Sequence, residues 1–362
     1  MLDGRLTADV TYYDKYTRDQ IVESELSYLS NYQRVIINSG KISNKGWEIS
    51  VSGVPVKVKN FEWKTIFNWS KNNSMVESLP EGIDKIQIGS GVYNVKSYAE
   101  VGKPYGAIYA KTFKRDAEGY ILCQLDGSPK EGQDYEYLGC VQADWRGGWN
   151  NVFRLGNFSF SVMFDFQKGG KFFSQTSIQS SVDGQSVKSL EGRDADFFSR
   201  KILGESDEER YGFMRPQNAN TPTANGQIYP DWGRPKGVVL PNCRYDEDVE
   251  GLAGQQVLGY CTPERYWMHY TSRDISRFIY DASYVKLREI TVSYDLPKKW
   301  LRKTPFQTFR VAAVGRNIAT LFANTPHGLD PQATSTTGNA QGFERGFNLP
   351  SATYGFDIKV SF

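Results

Sequence analysis

Two histidines, four cysteines and scattered carboxylates are what this 362-residue chain offers to catalysis or metal binding. His269 and His327 both fall in turn-rich sequence, and neither has the neighbouring nucleophile and orienting carboxylate that acyl transfer needs. No G-x-S-x-G elbow is present, so the chain reads as a non-enzyme without a cofactor. The stretch "RYDEDVEG" (244–251) places Asp246, Asp248 and Glu250 at alternate positions. Carboxylates so spaced are a weak calcium-site candidate, but the EF-hand pattern is incomplete and a solvated acidic loop is the simpler reading. The cysteines fall in two pairs along the chain, Cys123/Cys140 and Cys243/Cys261, too widely spaced for a metal knuckle. Disulfides in an oxidising compartment are open to them, and the sequence does not choose among the connectivities.

Binding chemistry is better represented. "CTPERYWMHYTSR" (261–273) concentrates Arg265, Tyr266, Trp267, His269 and Tyr270, and "YPDWGR" (229–234) adds Tyr229, Trp232 and Arg234. Aromatic faces stack on sugar rings or apolar side chains, while arginine reaches carboxylates and hydroxyls. These eight residues are candidates for a substrate or partner surface. The competing reading is that they pack their own long loop into a small layer.

Such residues need a scaffold, and the scaffold reads as strands. In "NFSFSVMFDFQ", Phe158, Phe160, Val162, Phe164 and Phe166 form one apolar stripe, opposite Ser159, Ser161, Met163, Asp165 and Gln167. A period of two means a strand with one greasy and one wet face. The same alternation runs through "RLTADVTYYDKYT", "GWEISVSGVPVKV", "FEWKTIFNWS" and the closing "YGFDIKVSF". Such segments number about ten, near 5–16, 46–58, 61–72, 105–113, 149–155, 158–167, 171–181, 284–296, 308–319 and 353–362. In "YVKLREITVSY" the apolar face switches between Leu287 and Ile290, which predicts a bulge.

The connections between these segments are unequal. "VKN" (58–60) and "QKGG" (167–170) are short and polar, whereas 17–45, 73–104, 182–277 and 320–352 are long and rich in Gly, Pro, Asn and Asp. Long loops of this kind are uncommon in compact domains. Short turns at one end and long loops at the other mark an outer-membrane barrel. One segment, 114–148, resists this scheme, since the strand count puts it at the short-turn end. No apolar run exceeds four residues, which excludes a transmembrane helix and says nothing against a barrel. Near-balanced charge, Lys+Arg 43 against Asp+Glu 41, argues against nucleic acid as a partner. The fold class expected is all-β: an antiparallel transmembrane β-barrel with its polar stripe on a wet lumen. Trp47, Trp63, Trp69, Tyr12 and Tyr13 are expected at the membrane–water girdles. A soluble β-sandwich also alternates, but its outward positions are mostly Lys, Glu, Thr and Ser.

Several phrases carry a family resemblance. "DASYVKLREITVSYDLP" (281–297), "FRVAAVGRNIATLF" (309–322), "GLDPQ" (328–332) and "GFNLPSATYGFDIKVSF" (346–362) resemble the C-terminal end of SusC-like (SusC/RagA) TonB-dependent outer-membrane transporters of Bacteroidetes-type bacteria. "RLTADVTYYDKYTRDQI", "NSGKISNKGWEISVSG" and "NVFRLGNFSFSVMFDFQKGGKFF" resemble earlier barrel strands in the same order. The resemblance implies the C-terminal part of a barrel of about 22 strands, with the plug domain and signal peptide absent from this chain. It also implies uptake of glycans or peptides, a SusD-like surface lipoprotein over the loops, and TonB acting through the missing N-terminal region. Placement follows: the outer membrane of a Gram-negative bacterium, among its lipids, with loops extracellular and the C-terminus periplasmic. Tyr354, Phe356, Ile358, Val360 and Phe362 resemble the signal that the barrel assembly machinery reads on its clients. The alternative is a non-transporting β protein such as an adhesin or extracellular binding module.

Overall fold

The structure is a computed structural model, and it describes residues 5–18, 21–25, 34–38, 40–190, 238–261, 265–326, 328–333, 341–346 and 351–362. In chain order, strand β1 (Leu6–Arg18) leads to a hairpin, β2 (Ile21–Glu25) and β3 (Arg34–Asn38), and then to β4 (Lys41–Val58) and β5 (Phe61–Ser78). Five short strands follow: β6 (Lys85–Ser90), β7 (Lys96–Glu100), β8 (Ala107–Ala110), β9 (Ile121–Cys123) and β10 (Glu136–Cys140). Next come β11 (Trp145–Leu155), β12 (Phe158–Lys168), β13 (Lys171–Ser174) and helix α1 (Gln175–Val182). The second half holds β14 (Val238–Tyr245), β15 (Gln256–Cys261), β16 (Ile279–Asp281), β17 (Tyr284–Asp295), the one-turn helix α2 (Lys298–Leu301), β18 (Thr308–Ala323), β19 (Phe343–Glu344) and β20 (Thr353–Ser361).

The long strands make one antiparallel sheet of eight, in the order β1-β4-β5-β11-β12-β17-β18-β20. We call it the wall. Every neighbour in it is also the next wall strand along the chain, so the wall is an up-and-down meander. Its links at one end are short: 59–60, 156–157 and 296–307. All four long excursions, 19–40, 79–144, 169–283 and 324–352, leave from the other end. Among the described residues no helix is long and apolar enough to cross a membrane.

Two of the expected strands are not in the wall. Segment 105–113 supplies β8, which pairs with β10 and β7 in a separate four-stranded sheet. Its "AIYA" is buried on both faces, so the apparent alternation there is a core strand between two layers. Segment 171–181 stops being a strand at Ser174, whose side chain accepts from the Ser177 N–H at 3.1 Å and caps α1. Removing these two strands resolves the awkward 114–148: it continues the excursion that opens after β5, on the side of the other long loops. "QKGG" is correspondingly the start of an excursion, and no hairpin turn.

The bulge in β17 is present. Met163 pairs with Glu289 and Phe164 with Leu287, leaving Arg288 unpaired in the ladder. The register toward β18 slips at the same place. On the apolar face, aromatic rings stack across strands: Trp63 on Phe153 at 5.9 Å, Phe67 on Phe166 at 5.9 Å, and Trp149 on Phe164 at 5.9 Å between centroids. Phe166 lies over Gly147, where a Cβ would come within 2.1 Å of its ring. Polar groups on this face are satisfied within it: Asn151 accepts from the Trp63 indole at 3.0 Å and Thr65 from the Trp149 indole at 2.9 Å. Tyr12 stays on the apolar face against Trp47. Tyr13 does not join that girdle, because it lies over Gly46 on the polar face and donates to Asn72 at 3.1 Å.

The excursions build a second region, the layer. Its small sheets are β10-β8-β7-β6, β16-β13-β19, β15-β14-β9 and β2-β3. Parallel pairing of β13 with β19 and of β14 with β9 joins segments far apart in the chain. Two cores fill it, one around Trp267, Tyr266 and Cys243, the other around Phe173, Phe278 and Phe343.

Candidate functional site

The polar face of the wall is concave. Asp9 and Thr11 of β1, Glu48 and Ser50 of β4, Asn68 and Ser70 of β5, Arg146 of β11 and Asp165 of β12 line an open hollow of about 690 Å³. Period two puts these residues on one face, and register aligns them: Asp9 opposite Ser50, Ser50 opposite Asn68, Arg146 opposite Ser70. Gly148 stands between Asn68 and Asp165 in the ladders, so bare backbone forms the floor there. Arg146 is steered by Gln167, which accepts from its Nε at 2.9 Å. Carboxylates, amides and hydroxyls in such an array hold water and polar groups and repel hydrocarbon.

Beside Asp165 at the edge of the hollow, a strap, the "GLDPQ" segment, is tied to the wall through a network of charges. Lys286 Nζ donates to both Asp330 oxygens at 2.6 Å and to Gln332 Oε1 at 3.0 Å. Arg288, freed by the bulge, donates to Asp165, to Asn317 Oδ1 at 2.8 Å and to Gln332 Oε1 at 2.7 Å. Gln332 donates to the Tyr284 hydroxyl at 2.5 Å, which in turn donates to Asp165 at 3.3 Å. Two carboxylates and two cations thus balance, and Lys286 is buried beneath the strap. Sequence reading missed this network. Its signals were present in the Lys286/Arg288 pair of "YVKLREI" and in Asp330 and Gln332, but nothing in spacing joins residues more than forty positions apart.

The expected binding surface is divided by the structure. Tyr266, Trp267 and Tyr270 are buried in the layer core, closed to a ligand arriving from solvent. Their packing follows from a turn of π-helix over Tyr266–Tyr270 that points three of its four rings inward. Arg265 is half-buried and donates to Asp126 at 2.9 Å, while His269 is exposed. Tyr229, Trp232, Arg234 and His327 lie outside the described residues.

Two carboxylates of the calcium candidate are already paired with lysines. Asp246 is 3% exposed and already holds two ammonium groups, Lys114 at 2.9 Å and Lys130 at 2.8 Å. Asp248 pairs with Lys130 at 2.5 Å, and Glu250 is exposed. Among the described residues no acidic, cysteine or histidine cluster could hold a metal ion. Burial pushes the Asp246 carboxyl up, but hydrogen bonds from Lys130, Lys114 and the Glu247 amide outweigh it and bring it down to about 2.

A meander wall with one aromatic and one polar face, whose long loops all leave from one end, has the pattern of a transmembrane β-barrel wall. Comparison with known proteins narrows that class. No family model matches the chain. It is 24% identical to TonB-dependent receptor P3 of Formosa agariphila, over 98% of this chain and 31% of that protein. It is 27% identical to TonB-dependent receptor P26 of the same organism, over 48% of this chain and 19% of that protein. Among solved structures, the RagAB peptide transporter superposes with a TM-score of 0.62 and 16% identity, covering 99% of this chain and 34% of that one. A structure of the RagAB peptide importer in its closed-closed state gives 0.59. The likeness to SusC-like TonB-dependent receptors read from the sequence therefore holds over nearly the whole chain, and the fold is theirs. These relatives are receptors and transporters, none an enzyme by name. The chain spans about a third of the length of the relative it matches end to end.

Proposed function

We propose that this chain forms part of the barrel wall and the extracellular loop layer of a TonB-dependent nutrient importer of the SusC type. The observation that carries the reading is the two-faced wall: aromatic rings stacked on one face, a hollow lined by Asp9, Glu48, Asn68, Arg146 and Asp165 on the other. The aromatic face lies against outer-membrane lipid and the polar face lines the wet lumen. Asn151 is tolerated on the lipid side because Trp63 satisfies it. Both β1 and β20 pair on one side only, so further wall strands must complete the barrel, since no backbone N–H or C=O can meet hydrocarbon unpaired. We place the layer outside the cell and the short links in the periplasm.

The cargo is a glycan or a peptide, peptide uptake being what the RagAB structures are named for. A surface lipoprotein of the SusD type covers the layer, and TonB supplies energy through protein segments beyond this chain. Arg265 and His269 remain the candidates for contact with cargo or lipoprotein, together with Tyr229, Trp232 and Arg234. The last strand presents Tyr354, Phe356 and Ile358 outward, as recognition by the barrel assembly machinery requires. The test is growth of the native host on the cargo that this gene supports, with and without TonB. Growth lost in both the gene deletion and the tonB deletion is expected; uptake unchanged without TonB overturns active import.

A further inference from the structure

Three of the four cysteines meet in one core of the layer, although the sequence spreads them over two excursions. Cys123 ends β9, Cys243 lies within β14 and Cys261 ends β15, and all three are buried. Strands β9 and β14 run parallel with Cys243 opposite Ile121 and Tyr245 opposite Cys123. Cys123 and Cys243 are therefore two positions apart on the same face of that sheet, and both are free thiols packed in one core. The approach is built. Asn242 takes a left-handed conformation at φ 60°, and the β14–β15 register slips between Leu240 and Cys243. A bulge of that kind re-aims the side chain beside it. Gly259 of β15 leaves room for the Cys243 sulfur, since a Cβ there would lie 2.5 Å from it, and that thiol donates to the Leu240 carbonyl at 3.3 Å.

The pairings between sequence neighbours are not brought together. Cys140 sits in β10 of a different sheet, its sulfur against the Tyr105 carbonyl at 3.5 Å and the Gln142 N–H at 3.4 Å. Cys261 is opposite Val238 and Cys243 opposite Val257, at opposite ends of the β14–β15 ladder.

We propose that Cys123 and Cys243 are joined by a disulfide in the mature protein, leaving Cys140 and Cys261 as thiols. The proposal rests on the reading of the layer as extracellular, because structural disulfides form in oxidising compartments. The oxidant is the disulfide of a periplasmic thiol oxidase. One cysteine thiolate attacks it and displaces one oxidase sulfur, forming a mixed disulfide; the second thiolate then displaces the oxidase. Two thiols lose two protons and two electrons, one S–S bond forms, and the oxidase leaves as a dithiol. The bond must form before the layer closes. In the folded layer the neighbouring Cys243 thiol and burial push the Cys123 thiol far up, and burial pushes Cys261 up to about 12. Protonated, buried sulfurs exchange slowly. The bond would tie the excursion after β5 to the excursion after β12, across two wall strands.

The experiment alkylates the full-length protein in denaturant without reductant, straight from whole cells of the native host, and maps the peptides by mass spectrometry. The expected result is a Cys123 peptide linked to a Cys243 peptide, with Cys140 and Cys261 alkylated; in a host lacking the thiol oxidase, both linked cysteines become alkylated as well. Alkylation of all four in the wild-type host, or a link from Cys123 to Cys261 or Cys140, overturns the proposal. In the same samples, Cys123→Ser, Cys243→Ser and the double variant should each raise surface proteolysis of the layer by the same factor, on the order of tenfold. Additive losses in the double variant contradict a bond. Membrane fractionation of the same sample tests the outer-membrane reading separately, because the thiol map is read wherever the protein is found.

Discussion

In the wall, Phe356 is 84% exposed and Phe158 58%; in the layer, Phe343 is fully buried and Trp267 is 2% exposed. Both regions are built from strands rich in aromatics, yet they hide those rings in different ways. The layer closes on itself around two cores, so burial from water can hold it. Among the described residues no second sheet packs behind the wall's aromatic face, so on the proposed reading lipid covers that face and further strands close its edges. The difference then implies two solvents for one chain, and a substitution should damage one region while sparing the other.

The largest expected effect lies in the layer. Trp267→Ala should cost about 3–5 kcal/mol of layer stability, seen as faster surface proteolysis of 238–278, while the heat-modifiable gel mobility of the inserted barrel stays. In the wall, Phe160→Arg should cost about 2–4 kcal/mol on a lipid face and lower the folded, heat-modifiable fraction. Asn68→Arg, on the polar face one strand from Arg146, should change that fraction by less than about 0.5 kcal/mol. If both wall substitutions act alike, the two faces are not different solvents. At the joint between the regions, Asp330→Ala strands the buried Lys286 and should cost about 2–3 kcal/mol, read as cleavage of the strap with both regions otherwise intact.

One effect is pH-linked. The Asp246 carboxyl is held below its unfolded value, at about 2. Its contribution is fully present above pH about 4 and is lost as pH falls toward about 2. Asp246→Asn should lower layer stability by about 2 kcal/mol near neutrality and remove that part of the acid sensitivity. An unchanged acid profile would show that the Lys114–Asp246–Lys130 cluster does not hold the layer.

The wall was legible because its period is local. Phe158 to Phe166 declare a face without knowledge of any partner, and the Leu287–Ile290 switch announced the Arg288 bulge. The layer was not legible for the converse reason. "AIYA" reads as alternation only until both of its faces prove buried, and Ser174 ends a strand because of a helix that begins after it. Parallel pairs such as Phe173 with Phe343 join residues that no spacing rule connects. The candidate site divides along the same line. The polar stripe that lines the hollow was visible, while the Lys286–Asp330 and Arg288–Asp165 contacts needed the fold, and buried Tyr266 and Trp267 follow the competing reading, that they pack their own loop.

The central claim is that the wall stands between lipid and water. It is tested most directly by nitroxide side chains, introduced as an unnatural amino acid one position at a time from 158 to 167 in the complete protein reconstituted in bilayers. The account predicts oxygen accessibility peaking at 158, 160, 162, 164 and 166, with a water-soluble relaxant favouring the positions between. Loss of that alternation, or aromatic positions closed to both probes as in a sandwich core, would contradict it.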